Sequence, residues 1–137
     1  MVAQSEIVPS APPNIIVVDD DPAVLNSLKF SFEVEGFAVR AYPNGTELLI
    51  DAIPVGSGCL VIDYRLPGIN GLDLLAELRR RQVTLPAVLI TTHPSGWVRA
   101  RAEMAGVCLI EKPLLDGSLL LTIRAALADG PPPISSG

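Results

Sequence analysis

Three aspartates, a threonine and a lysine stand where they could do chemistry together. Asp19, Asp20, Asp63, Thr91 and Lys112 each lie at the end of a short apolar run. Two carboxylates about 5 Å apart repel each other by roughly 3 kcal/mol at an effective dielectric of 20, so a shared pocket of acids favours a bound cation. Oxygen ligands of this kind suit Mg²⁺ or Mn²⁺, which binds through one or two carboxylates and a phosphate. The residue types therefore predict a divalent-metal site.

Five apolar runs, rich in Val and Ile, alternate with amphipathic segments and could position these residues. The runs are 14–19, 37–41, 58–63, 86–91 and 107–111. Continuous apolarity over so few residues favours strands that are covered on both faces. Five strand–helix repeats predict a parallel sheet with helices on both faces, and ligands bind beyond the carboxyl ends of such strands. The five polar residues should therefore converge.

Helix signals follow the strands at the expected places. Leu25, Leu28 and Phe32 have the spacing of one helix face, and Asp21 before Pro22 is a good N-terminal cap. The last amphipathic segment, about 115–128, predicts the fifth helix. These signals support the alternating order of strands and helices.

Composition and charge limit the function classes. The chain has 137 residues and a net charge of −5, which argues against a nucleic-acid surface. Cys59 and Cys108 lie in apolar runs, so two buried thiols in a reducing compartment are expected. Neither a signal-peptide pattern nor a run of 18 apolar residues is present in the sequence. We expect a cytoplasmic protein without membrane contact.

The sequence divides into one domain and two tails. Residues 1–13 and the Pro-rich segment 129–137 are aperiodic and predict flexible tails. Residues 14–128 form the predicted domain.

Four motifs in this order resemble a known family. They are VVDDDP, VIDYRLPGINGLDLL, VLITTHP and LIEKPL, and the resemblance covers about residues 14–128. Together they resemble the receiver domain of two-component response regulators. The resemblance implies a flavodoxin-like, doubly wound (βα)5 fold with the strand order 2-1-3-4-5.

The resemblance also implies a role for each polar residue. Asp63 would accept the phosphoryl group, as an aspartyl nucleophile. Lys112 would contact the phosphoryl oxygens, and the Thr91 hydroxyl would bond to the phosphate and so report its presence.

The implied metal ligands surround the acceptor. Asp20 would hold Mg²⁺ or Mn²⁺ directly and Asp19 mainly through water, and Asp63 and the backbone carbonyl of Arg65 would be further ligands. Gly68 and Gly71 are expected to turn the loop after Asp63, since glycine tolerates positive φ.

Four residues are candidates for switching or tuning. Many receivers have an aromatic residue three positions before the lysine, where this chain has Leu109. Arg65 and His93, two positions after Asp63 and Thr91, would tune the phosphate lifetime. The inward and outward positions of Leu109 should differ little in energy. The conformational change on phosphorylation is therefore expected in the loop before Trp97 and in the helix that follows.

A phospho-accepting signalling domain, not an enzyme, is the leading hypothesis. Its partners would be a histidine kinase or histidine phosphotransfer protein and an unidentified downstream protein. The donor is expected to dock beside the acceptor, on a surface formed by Pro22, Ala23, Asn26, Pro113, Leu114 and Leu115. The chain could act alone, shuttle phosphoryl groups, or be part of a longer regulator or hybrid kinase.

Two other functions compete with signalling. A Mg²⁺-dependent aspartyl-phosphate phosphohydrolase usually has a second Asp two residues after the first, where this chain has Arg65. A nucleotide- or flavin-binding module needs backbone N–H groups for a phosphate after the first strand, where this chain has acids.

Overall fold

A computed structural model describes residues 12–51, 53, 56–114 and 117–129. The strands are β1 Asn14–Val18, β2 Ala38–Tyr42, β3 Gly58–Asp63, β4 Ala87–Thr91 and β5 Cys108–Glu111. The helices are α1 Pro22–Val34, α2 Gly45–Leu49, α3 Gly71–Arg80, α4 Gly96–Met104 and α5 Ser118–Asp129. Each predicted strand is confirmed to within one residue at either end, whereas α5 begins three residues later than predicted.

The five strands form one parallel sheet in the order β2-β1-β3-β4-β5. This order confirms the flavodoxin-like fold. The register places Val18 opposite Ile62, so the residues that follow them, Asp19 and Asp63, are neighbours. Thr91 at the end of β4 lies opposite Glu111, directly before Lys112. The sheet therefore brings the predicted site residues to one edge.

Both faces of the sheet are covered, which explains the continuous apolar runs. On one face, Ile16, Leu60 and Leu89 pack in a layer that α2, α3 and α4 cover. On the other, Val17 and Val61 pack in a layer that α1 and α5 cover. Successive residues of a strand point to opposite faces, so each central strand contributes to both layers.

Side chains cap the starts of α1 and α2, and the cap predicted at Asp21 is confirmed. The Asp21 side chain accepts hydrogen bonds from the N–H groups of Ala23 and Val24, and Pro22 occupies the first turn of α1. Asn44 caps α2 by accepting from the N–H of Glu47. These caps satisfy N–H groups that a helix leaves without intrahelical partners.

The expectation of two buried thiols is wrong for one of them. Cys59 in the central strand β3 is fully buried, and its burial raises the pKa of its thiol to about 12. Cys108 is exposed because β5 is an edge strand that the helices cover only partly. Both thiols are free, and β4 lies between their two strands.

The predicted tails lie almost wholly outside the described residues. Asp129, assigned to the second tail, is instead the last residue of α5. Among the described helices, none combines the length and the apolar character that crossing a membrane requires.

Candidate acidic site at the carboxyl ends of the strands

The side chains of Asp19, Asp63 and Lys112 meet beyond the carboxyl ends of β1, β3 and β5. Lys112 Nζ lies 3.0 Å from Asp19 Oδ2 and 3.1 Å from Asp63 Oδ2. The contact to Asp63 is also a well-aligned hydrogen bond, whereas the contact to Asp19 is an ion pair only. One ammonium therefore faces two carboxylates.

Backbone groups hold the two buried carboxylates in place. Asp19 is 0 % exposed, and its Oδ1 accepts a hydrogen bond from the Asp21 N–H at 2.9 Å. Asp63 is 4 % exposed, and its Oδ1 accepts from the Arg65 N–H at 3.2 Å. Each carboxylate thus has one oxygen fixed by the following loop and one that faces Lys112.

Burial and neighbouring charges shift the pKa values of Asp63 and Lys112. Burial, followed by the negative charge of Asp19, raises the pKa of Asp63; Lys112 and the Arg65 N–H act in the opposite direction. Burial alone would lower the pKa of Lys112, but its interactions with the Asp19 and Asp63 carboxylates outweigh this and raise it. Lys112 is therefore held as a cation, while the Asp63 carboxylate is short of compensating charge.

The donor set fits a hard divalent cation. Asp19, Asp20 and Asp63 each offer a carboxylate oxygen, and these atoms lie within 4.8 Å of one another. Asp20 is exposed, so solvent can reach the three carboxylates from the side of Asp20. An all-oxygen set with an open side suits Mg²⁺ or Mn²⁺, which keeps several waters. The further ligand assigned to the carbonyl of Arg65 stays a prediction.

Thr91 contributes a buried hydroxyl that has no partner. Its side chain is 1 % exposed, and its Oγ1 makes no hydrogen bond with any part of the chain that the structure describes. An unsatisfied buried hydroxyl costs about 1–3 kcal/mol. Such a group at the end of a central strand is suited to bond a ligand that enters the site.

The loop after Asp63 depends on two glycines for different reasons. Gly68 has φ +81°, the left-handed conformation that glycine tolerates, as expected. Gly71 does not have a positive φ; a Cβ there would lie 2.5 Å from the carbonyl oxygen of Asp63. The conformational reason expected for Gly71 is therefore wrong; the glycine is needed because the Asp63 backbone lies too close for a side chain.

The four tuning candidates occupy different environments. Arg65 and His93 are exposed, and His93 has φ +48°. Leu109 is half-buried against the core layer beneath α3 and α4. Trp97 is 61 % exposed, with the guanidinium carbon of Arg101 5.0 Å from the centre of its ring.

A groove of about 640 Å³ adjoins the site. It is lined by Ala23, Val24, Ser27, Leu28 and Ser31 of α1 and by Thr92, His93, Lys112, Pro113 and Leu114. Ala23, Pro113 and Leu114 of the expected docking surface line it, but Pro22 and Asn26 do not, and Leu115 lies outside the described residues. Sequence reasoning missed the serines, although residues 23, 27 and 31 have the spacing of one helix face.

Comparison of the chain with known proteins agrees with this geometry. A family model for the response regulator receiver domain matches residues 15–124. The transcriptional regulatory protein FixJ of Azorhizobium caulinodans is 37 % identical over 112 residues, which cover 81 % of this chain and 53 % of that protein. The receiver domain protein of Methanospirillum hungatei JF-1, described as CheY-like, has a TM-score of 0.79 and 27 % identity, covering 86 % of this chain and 95 % of that one.

A solved FixJ-N structure is similar in fold and has a higher sequence identity to this chain. Its TM-score is 0.77 at 32 % identity, with 87 % of this chain and 96 % of that chain covered. The chain spans about half the length of the curated relatives it matches. The family match, the strand order and these similarities show that the chain belongs to the response regulator receiver domain family.

Proposed function

We propose that the chain accepts a phosphoryl group on Asp63 and passes the resulting signal to a partner protein. The observation that carries the proposal is the buried Asp63 carboxylate between Asp19 and Lys112, with the unpartnered Thr91 hydroxyl at the neighbouring strand end. The family consists of signalling domains, which agrees with a phosphorelay role.

In the proposed reaction, an oxygen of Asp63 attacks phosphorus while the bond from phosphorus to a donor histidine nitrogen breaks. Phosphoryl transfer passes through a loose, in-line transition state, so the protein contributes mainly position and charge. Lys112 neutralises phosphoryl oxygens as they approach Asp63. A Mg²⁺ or Mn²⁺ ion held by Asp19, Asp20 and Asp63, and by the Arg65 carbonyl, would supply further neutralisation of those oxygens.

Thr91 is proposed to detect the phosphoryl group. Its hydroxyl is buried and lacks a hydrogen-bond partner within the described residues, so a phosphoryl oxygen would satisfy it. A ligand shifts a conformational equilibrium by its differential interaction with the two states. The new hydrogen bond at Thr91 would provide that difference.

The phosphoryl donor is proposed to be a histidine kinase or a histidine phosphotransfer protein that docks in the groove beside α1. Apolar side chains such as Val24, Leu28 and Leu114 line the groove, and Lys112 connects it with the site. A donor seated there would present its phosphohistidine next to Asp63. The net charge of −5 supports a protein partner rather than nucleic acid.

Arg65 and His93 are proposed to tune the lifetime of the phosphoryl group. Both are exposed, two residues beyond Asp63 and Thr91 respectively, where they could limit the approach of water. The output is proposed to pass through α4 and Trp97, since Leu109 is an aliphatic residue with no polar group.

The test is incubation with acetyl phosphate and Mg²⁺, followed by intact-mass measurement. We expect one acid-stable, base-labile phosphoryl group per chain, absent from Asp63→Asn and much reduced without the metal. Undiminished labelling of Asp63→Asn would refute the assignment. Sustained phosphate release over many turnovers would favour a phosphohydrolase instead.

A further inference from the structure

Gly71, the first residue of α3, lies against the backbone of the acceptor strand. Its N–H donates a hydrogen bond to the carbonyl of Tyr64 at 2.8 Å, and the Tyr64 N–H donates to the carbonyl of Ile90 in β4 at 2.8 Å. The two peptides that follow Asp63 are therefore held in place, the first by β4 and the second by α3.

No side chain fits at position 71. A Cβ there would lie 2.5 Å from the Asp63 carbonyl oxygen, 2.9 Å from Tyr64 Cα and 2.9 Å from Leu89 Cδ1. The Leu89 side chain could give way, but the other two atoms belong to the backbone. Because the first two contacts involve the acceptor residue and its neighbour, relief would have to come from moving either that peptide or α3.

α3 cannot readily move away. Its inner face buries Leu72, Leu74, Leu75 and Leu78 in the core layer, so a shift of the whole helix would disturb dense packing. Part of the displacement would therefore fall on the Asp63–Tyr64 peptide. Tyr64 Cα joins that peptide to the next one, whose Arg65 N–H donates to Asp63 Oδ1, so a displaced Tyr64 would also disturb this hydrogen bond.

We propose that Gly71 is a positioning residue for Asp63: the absence of a side chain lets α3 close on the acceptor's own peptide and fix its carboxylate relative to Asp19 and Lys112. The proposal rests on the proposed phosphoryl acceptance by Asp63. Transfer to a carboxylate depends on alignment, and a misplacement of about 1 Å can lower a rate by around a hundredfold.

The same strand offers a matched control. Gly58 is the first residue of β3, and a Cβ there would lie 2.5 Å from the backbone oxygen of Asn14. Gly58→Ala thus introduces a backbone clash with the same shortest distance at the opposite end of the strand from Asp63. A general loss of stability should affect both variants, whereas mispositioning of the acceptor should affect only Gly71→Ala.

The experiment measures the rate of labelling by acetyl phosphate, and the affinity for Mg²⁺, in the wild type, Gly71→Ala and Gly58→Ala. Rates are compared per folded molecule, with the folded fraction taken from circular dichroism. We expect Gly71→Ala to label at least about tenfold more slowly and to bind Mg²⁺ more weakly. Gly58→Ala should keep both values within about twofold of the wild type.

Equal losses in the two variants, or wild-type behaviour of Gly71→Ala, would overturn the positioning role. An unlabelled wild type would instead overturn the proposed function.

Amide hydrogen exchange in the wild type tests the positioning role if Gly71→Ala does not fold. Coupling between sites is reciprocal, so Mg²⁺ with beryllofluoride should slow exchange of the Gly71 N–H several-fold more than that of the Asn14 N–H at the far end of the sheet. Equal changes at the two amides would refute the proposal.

Discussion

The ammonium of Lys112 lies 3.1 Å from Oδ2 of Asp63, although 49 positions separate the two residues in the sequence. The contact crosses the end of β4, which lies between their two strands. Among the described residues, Lys112 is the cation that pairs with Asp63, and Asp19 brings a second buried carboxylate to the same ammonium. Asp63 is consequently held in a site with excess negative charge.

Replacement of the Asp63 carboxylate by an amide should therefore stabilise the fold. Asp63→Asn removes a buried charge whose ionised form is disfavoured by burial and by Asp19. We expect the free energy of unfolding to rise in the absence of divalent metal at neutral pH, because the wild type pays for an ionised Asp63 in the folded state and the amide does not. Urea denaturation measures this, and Asp129→Asn at the exposed C-terminal end of α5 shows how much the loss of one surface charge contributes. Addition of Mg²⁺ should stabilise the wild type more than Asp63→Asn, and equal stabilisation would count against the metal assignment.

The groove beside α1 should serve a protein donor but not a small one. Ser27 is exposed and lines the groove, so Ser27→Glu adds charge and bulk there without disturbing the core. We expect transfer from a cognate kinase to slow by about tenfold or more, as hot-spot losses at interfaces do, while labelling by acetyl phosphate is unchanged. Leu121→Glu, exposed on α5 and outside the groove, is the control.

Substitution of Leu114 is a less specific probe of the same surface. Leu114 is half-buried and packs against the core layer beneath α1 and α5, so a charged residue there would disturb both the docking surface and the core. If both phosphodonors lose the same factor with Ser27→Glu, the groove is not the docking site.

The elements and the site could be predicted from the sequence because both depend on local patterns. Buried parallel strands read as continuous apolar runs, and each of Asp19, Asp63, Thr91 and Lys112 lies at the end of one. In a parallel sheet those ends share one edge, so their convergence needs no knowledge of side-chain packing. The strand order itself came from the resemblance to a family.

The features that the sequence did not predict depend on tertiary distances. Cys108 is exposed because β5 is an edge strand, which an apolar run does not reveal. Gly71 is a glycine because the Asp63 backbone lies too close for a Cβ, and the missing partner of Thr91 is visible only when its neighbours are placed. The serines of the groove were missed because a polar helix position normally faces solvent.

The two thiols should differ sharply in reactivity. Cys59 is fully buried with its pKa raised to about 12, so it is almost wholly protonated at pH 7 to 9, and the thiolate is the reactive form. Cys108 is exposed. We expect iodoacetamide at pH 8 to add one group to the native protein, at Cys108, and two after denaturation, as read by intact and peptide mass. A Cys59–Cys108 disulfide in the oxidised native protein would contradict the strand order.

Phosphoryl acceptance should be reported by Trp97 through Thr91. Trp97 begins the exposed face of α4 and is not packed against the sheet, so its fluorescence should respond when the loop after Thr91 moves. Mg²⁺ with beryllofluoride should change the emission of the wild type. Thr91→Val keeps the shape of the side chain but removes the hydroxyl, so the fluorescence change should be lost while acetyl phosphate still labels Asp63.

Thr91→Val should also change stability. Because the hydroxyl has no partner among the described residues, this variant should raise the free energy of unfolding by about 1 kcal/mol.

Thr92→Ala is the matched control for this prediction, since Thr92 is the exposed neighbour of Thr91. It should keep the fluorescence change and leave stability nearly unaltered. An unchanged Trp97 spectrum in a fully phosphorylated wild type would exclude this route to α4. A full response in Thr91→Val would show instead that the signal reaches Trp97 without the threonine hydroxyl, most directly through the backbone bond from the Lys112 N–H to the Thr91 carbonyl.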